Sequence, residues 1–465
     1  MRSHVLVLCL VIASVGGLSG MNAGENQRLK LFLPADIDTV VGDTLEIFYE
    51  SLTSAVTPLR YNIVTVADKG RSYHLKWVYT AQPGDKDFPL SIRYYDDFGN
   101  LVGQADTTVR VQEKAVSPPA NVNILCLGAS CTAGGEWVTE VQRRLCGTGG
   151  SPEGLGLTNI TFIGSCGRKP ARFEAYGGWT WNSYLANASA SPNAWVYVLS
   201  GMKTDPATQH SVWADSNHNQ WQLETLDAEG DRLKFKPYPP PAGKPTPLPP
   251  EGVLTWVSGG ADSDAIRYAG TQPEKGNPFW SVSRNAVSFG EYLARNKIEG
   301  GIDLCLIGLG GNDIFCQKDR EVSGADFTAI LRSAKTFLDA LHAEFPRCRV
   351  VISSLQLPDV DGYGENYDCK TPISNAFALK NAIIDMGAAY QGLAASPEYS
   401  SYVGYVNLAC QYDGRNGGRF QERPASQRSP VREPICINAL HPSKDGYMMI
   451  ADAWYRKIIA SLNQQ

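Results

Sequence analysis

The stretch NILCLGASCTAGGEW, residues 123–137, sets an unbroken apolar run against a turn of small residues and then the opening of a helix. A run that is apolar without alternation reads as a strand buried on both faces, which belongs in a parallel sheet covered by helices. The same pattern recurs downstream. Apolar runs at 123–127, 159–163, 302–308, 349–354 and 402–408 are interleaved with helical patterns at roughly 136–146, 324–344, 372–392 and 444–462. Alternating strands and helices predict an α/β domain with a parallel sheet, whose ligands sit at the carboxyl ends of the strands. Ser130 falls just past the carboxyl edge of the first strand, where a side chain meets substrate and a helix amino terminus favours negative charge.

Upstream of that strand the rhythm is different. From residue 29 to about 113, short period-two runs such as TLEIFYE, RYNIVTV, YHLKWVY, FPLSIRYY and TTVRV are divided by VGD, ADKG, QPGD and DDFGN. This spacing predicts a small all-β, sandwich-like (Ig-like) domain over residues 28–114. KAVSPPAN, residues 114–121, reads as a linker, and the α/β domain then occupies 121–465. Tyr73, Trp77 and Tyr79 alternate along one run of the small domain, which marks a core face before it marks a sugar platform. Within the α/β domain the order breaks at about 205–282, where SVWADSNHNQWQLETL, a proline-rich KPYPPPAGKPTPLPP and GVLTWVSGG follow one another. We read this as an inserted β-ribbon or lid carrying Trp213, Trp221, Trp256 and Trp280, since long interruptions of a compact domain are usually functional.

The chain has 465 residues, 43% of them hydrophobic, and a net charge of −5 with both signs interspersed. That is enough apolar material for more than one core, and it carries no basic footprint for nucleic acid. MRSHVLVLCLVIASVGGLSG has one cation at Arg2, an apolar run and then small residues, the form of a signal peptide over residues 1–22. A secreted or periplasmic destination follows, and no later stretch is apolar and long enough for stable membrane insertion. Of 11 cysteines, Cys9 falls in the leader, and Cys126 and Cys305 lie in apolar runs as buried thiols. Cys316, Cys369, Cys410 and Cys436 lie in loop-like stretches and are the better candidates for bridges. No CxxC and no Cys/His set has zinc spacing, so neither a metal nor another cofactor is expected.

Three further segments carry reactive residue types. EAYGGWTW, residues 174–181, offers glycines whose backbone comes close to a ligand, and LGGND, residues 309–313, places an asparagine amide right after the strand IDLCLIG. Uncharged donors of that kind are what an oxyanion needs. NALHPSKDGYMMIADAWYRKI, residues 438–458, puts His441 at a strand-to-helix crossing. His74, His210, His218 and His342 lie instead in the β domain, the insert and an amphipathic helix.

In this order the four pieces resemble the blocks of the SGNH hydrolases, also called GDSL hydrolases, from about residue 121 to the end of the chain. The resemblance implies a three-layer α/β/α flavodoxin-like fold. It implies Ser130 as nucleophile, Gly178 and Asn312 as oxyanion donors beside the Ser130 N–H, and His441 as base. Two positions depart from the family: Ala129 stands where GDS has its aspartate, and Asn438 stands where DxxH has its acid. Asn438 or a nearby carbonyl is expected to orient His441, while Trp179, Trp181 and Asp313 are expected to contact substrate. The β-rich amino-terminal module looks like that of secreted bacterial carbohydrate esterases. The implied activity is hydrolysis of O-acetyl esters on polysaccharides, with an acylated polysaccharide or oligosaccharide as partner. A lipase or thioesterase, or a catalytically weak glycan-binding protein on the same scaffold, remain as alternatives.

Overall fold

The computed structural model describes residues 29–463 apart from 56, 115–120, 187–192, 203–207, 227–231, 240–247, 250, 261–263, 274–275, 282, 316–326, 359–364 and 366–375. The leader, most of the linker, Cys316 and Cys369 lie outside the described residues.

The central sheet has seven strands, and its parallel body is β1 (Val122–Gly128), β2 (Ile160–Ile163), β3 (Leu304–Gly308), β4 (Arg349–Ser353) and β5 (Val403–Val406). Their spatial order is 2-1-3-4-5, with the strand Ala171–Ala175 pairing beside β2 on the upper half of β1. Successive side chains of a strand point to opposite faces, so each strand feeds two cores. Leu125, Leu127, Cys305, Ile307, Val350 and Ile352 pack against α3 (Phe289–Arg295), α5 (Thr328–Glu344) and α6 (Ala376–Ala395). Ile124, Cys126, Leu304, Leu306 and Val351 pack against α2 (Glu136–Cys146) and α7 (Lys444–Leu462). Burial on both faces is why these strands read as continuous apolar runs. The strand order reverses between β1 and β3, so their carboxyl ends flank the crevice in which such sheets bind ligands.

The amino-terminal part is two sheets over one core. One holds the strands Asp36–Val40, Leu101–Gln112, Phe88–Tyr95 and Asn62–Ala67, the other Thr44–Phe48, Lys76–Thr80 and Arg71–Ser72. Trp77 and Tyr79 are buried between them with Leu45, Ile47, Leu90 and Ile92. Cys410, read above as a bridge candidate, is instead a buried thiol in this same core and donates to the Asn407 carbonyl. The module is locked to the α/β part by charge. Arg144 of α2, 1% exposed, meets Asp43 at 2.5 Å and Asp452 of α7 at 2.5 Å, while Lys457 meets Asp38 at 3.0 Å.

The insert is not a ribbon. Six antiparallel strands between Ala194 and Pro273 close into a barrel, the first pairing with the last. Val196, Trp213, Trp221, Leu223, Phe235 and Leu254 fill its interior, so two of the four tryptophans are core. Period-two patterning gave strands, but closure is set by pairing across the whole insert, which adjacent runs do not display.

Replacing Arg144 by Ala leaves Asp43 buried and short of its main partner. We expect a loss of about 3 kcal/mol in chemical denaturation, since removing one member of a buried pair exposes the desolvation cost of the other.

Candidate active site

Ser130 opens a single helical turn, α1 (Ser130–Ala133), directly after β1. The chain turns this tightly because Gly128 has no side chain: a Cβ there would stand 2.2 Å from the Thr132 hydroxyl. The turn is closed by Thr132 and Ala133 N–H groups on the Ala129 carbonyl at 3.0 and 2.9 Å. Two glycines separate it from α2.

His441 follows the strand Arg432–Asn438 and precedes α7, whose Ser443 N-cap accepts from the Gly446 N–H. The Leu440 carbonyl accepts from the Cys131 thiol at 3.0 Å and from the Gln356 amide at 3.0 Å. The residue after Ser130 is therefore bonded to the residue before His441, which brings the Ser130 turn and the His441 loop to one rim. Asn438 accepts the His441 backbone N–H at 2.9 Å. Its side chain thus fixes the turn through the main chain, and not by a bond to the ring. Partial burial, with Arg419 adding to it, holds the imidazole below its ordinary pKa, while Glu136 works in the opposite direction. The lowered value keeps the ring neutral and able to take a proton at neutral pH.

The strand Ala171–Ala175 runs into Tyr176-Gly177-Gly178 at the same rim, and Ala175 stands in register with Gly128. Gly178 has φ +79°, a conformation glycine adopts without strain. Gly177 and Gly178 are exposed, and a Cβ at either would meet no atom within 4 Å. Asn312, in α4 (Gly311–Phe315), donates to the Trp179 carbonyl at 2.9 Å. An amide nitrogen has two hydrogens, so this bond anchors Asn312 and leaves its second N–H for another acceptor.

Asp313, Trp179 and Trp181 were expected at the substrate, and the structure gives them other work. Asp313 accepts the Trp181 backbone N–H at 3.3 Å, and burial pushes its carboxyl up to about 6. Trp181 is 0% exposed, with its indole N–H on the Tyr390 hydroxyl at 2.7 Å. Trp179 is 8% exposed, stacked on Tyr176 at 4.2 Å and edge-on to Tyr184 at 4.7 Å. Neither indole presents a face to a sugar. They are the hydrophobic footing of the glycine turn.

Sequence reasoning missed Glu174. This buried carboxylate lies just ahead of the turn and receives the Ser165 hydroxyl at 3.0 Å, Tyr176 at 2.8 Å and Tyr292 at 2.9 Å. The one signal was a pair of charges, Arg172 and Glu174, in the short strand-like run ARFEA. From the barrel, Gln272 donates to the same Tyr176 hydroxyl at 2.8 Å, so the insert braces the turn from behind. A cavity of about 800 Å³ lies at the other end of the sheet, lined by Asn121, Asn123, Asp303 and Arg347 at the strand starts. It is remote from the rim described above. Among the described residues no group of His, Cys, Asp and Glu gathers to hold a metal ion, and no helix is long and apolar enough to cross a membrane.

No family model and no curated protein sequence matches the chain. Among solved structures it is similar to a carbohydrate esterase family 2 enzyme plus carbohydrate binding domain from Corynascus thermopiles (Myceliophthora fergusii). That likeness has 12% identity, covers 91% of this chain and 92% of the other, and has a TM-score of 0.29. It is also similar to a peptidoglycan O-acetylesterase, at 11% identity over 74% of this chain and 93% of the other, TM-score 0.30. A family two carbohydrate esterase from Cellvibrio japonicus is a further likeness, at 13% identity over 90% and 85%, TM-score 0.25. At such scores the functional reading rests on the site's own geometry.

Asp313 gives a pH test. The folded chain holds this proton to about pH 6, whereas an unfolded chain releases it near 3.9. Between those values the native state binds more protons, so stability falls as pH rises, by about 3 kcal/mol. Asp313→Asn keeps an acceptor for the Trp181 N–H. In melts at pH 4 and pH 7 we expect it to remove that part of the slope and to be the more stable protein at pH 7.

Proposed function

We propose that the chain is a secreted serine esterase that removes acyl groups, most readily acetyl, from hydroxyls of a polysaccharide. The observation that supports it most is the Leu440 carbonyl, bonded to Cys131 and Gln356, which brings the Ser130 turn and the His441 loop together. The exposed Gly177–Gly178 turn and the Asn312 amide stand at the same sheet edge. Neutral His441 takes the Ser130 proton as the hydroxyl oxygen attacks the ester carbonyl. The oxyanion is met by the N–H groups of Ser130 and Gly178 and by the second N–H of Asn312. Collapse returns the proton to the departing sugar oxygen and leaves Ser130 acylated, and water activated by His441 then releases the acid. Open space above the two glycines suits a polymer passing over the rim with a small acyl group turned inward. Trp179 and Trp181 are buried, so the carbohydrate reading does not draw on their stacking against a sugar ring.

A second reading, glycan binding on a hydrolase scaffold, is favoured by one observation: Asn438 carries no charge and its oxygen is engaged by the main chain. A fluorophosphonate probe separates the two. We expect labelling of the wild type and none of Ser130→Ala, whose acetate release from acetylated xylan, mannan or pectin drops at least about a thousandfold. Asn312→Ala should still label, with turnover lowered about a hundredfold. Undiminished release by Ser130→Ala refutes the esterase reading, and faster turnover of long-chain acyl esters than of acetylated glycans refutes the substrate.

A further inference from the structure

When His441 takes the serine proton it becomes a partly buried cation, and such a cation is stable only beside a compensating charge. Asn438 supplies none. Two charged side chains act on the ring: Arg419, which disfavours the cation, and Glu136, which favours it. Arg419 lies exposed on the hairpin before the histidine loop, where water screens it, and donates to the Pro442 carbonyl at 3.1 Å.

Glu136 is differently placed. It is the first residue of α2, reached from the Ser130 turn across Gly134 and Gly135. Its Oε2 is fully buried and has no hydrogen-bond partner, a condition that is rare without a use. The room for that oxygen is made by Gly134, where a Cβ would stand 2.1 Å from it. The same carboxylate acts on Cys131, whose thiol is bonded to Leu440 beside the histidine, and on Tyr447 of α7 just beyond it. The packing agrees: Cys131, on the turn between Ser130 and Glu136, is bonded to Leu440 beside the histidine, and Trp137, next to Glu136, stacks on Trp454 of α7 at 5.3 Å.

Resting on the esterase reading above, we propose that Glu136 is the counter-charge of His441, doing from α2 what an acid three residues before the histidine does in the SGNH family. It is a positioning residue that acts through the imidazole. In acylation the Ser130 O–H bond breaks and its proton moves to His441, while the serine oxygen bonds the acyl carbon. The imidazolium then stands beside the Glu136 carboxylate. As the ester C–O bond breaks, the proton passes to the sugar oxygen, and Glu136 takes no part in the transfer.

The test is the titration of the His441 ring by NMR in wild type, Glu136→Gln and Arg419→Gln, alongside kcat/KM against pH on an acetyl ester. The base works in its neutral form, so activity rises with pH through the ring's pKa. We expect Glu136→Gln to move ring titration and acid limb together to lower pH and to reduce the plateau roughly tenfold or more. Arg419→Gln should move both upward, and Glu136→Asp should restore part of the loss. A merely structural glutamate would lower activity without moving the titration. Should Glu136→Gln melt early, Glu136→Asp read by the same titration decides. An unshifted ring in a protein that hydrolyses the ester overturns the role of Glu136 alone. A shifted ring in a wild type that hydrolyses no ester, and is not labelled at Ser130, overturns the esterase reading and leaves the charge coupling standing.

Discussion

The carbonyl of Leu440 accepts two hydrogen bonds, from the Cys131 thiol and the Gln356 amide, and the candidate site depends on them. Cys131 and Leu440 are 309 positions apart in the chain. Gln356 belongs to a third segment, just beyond the end of β4, and is itself buried. A buried carbonyl that lost these donors would cost about 1–3 kcal/mol, so the histidine loop has one low-energy place to rest. That resting place puts the His441 loop beside the serine turn.

The opposite wall of the site is built on buried carboxylates. Asp313 holds the glycine turn by its backbone at Trp181, and Glu174 gathers the hydroxyls of Ser165, Tyr176 and Tyr292 beneath it. Both acids resist ionisation because of burial, and in each the bonds they accept push the other way. A turn rich in glycine is soft by itself. Pinned at Asn312, Asp313 and Tyr176, it is held in one conformation, which is what the proposed oxyanion hole requires of it.

The parallel sheet was legible in the sequence because a strand buried on both faces has no polar side to disguise it. The run 123–127 lies within β1, and the patterns at 136–146 and 444–462 coincide with α2 and α7. The insert was legible only as strands, since Ala194 pairs with Pro273 across the length of the barrel. Trp179 and Trp181 beside an exposed glycine pair look like a binding face until Tyr390 arrives from α6 and nearby Tyr184 folds back over Trp179. Glu174 was invisible for a related reason: one of its donors, Tyr292, is 118 residues away. Residues whose roles were set by their neighbours in sequence were readable, and those set by partners brought in by the fold were not.

The helix α2 begins with Glu136 at the reactive rim and reaches Arg144 two turns later, where that arginine grips Asp43 of the small sandwich. At 1.5 Å per residue the two ends of this lever are about 12 Å apart. The sandwich is accordingly a fulcrum for the α/β half and not a passenger on a tether. A fragment beginning at residue 121 would bare Arg144, Arg456 and Lys457 along one seam, so the α/β half keeps its charge balance only with the sandwich attached.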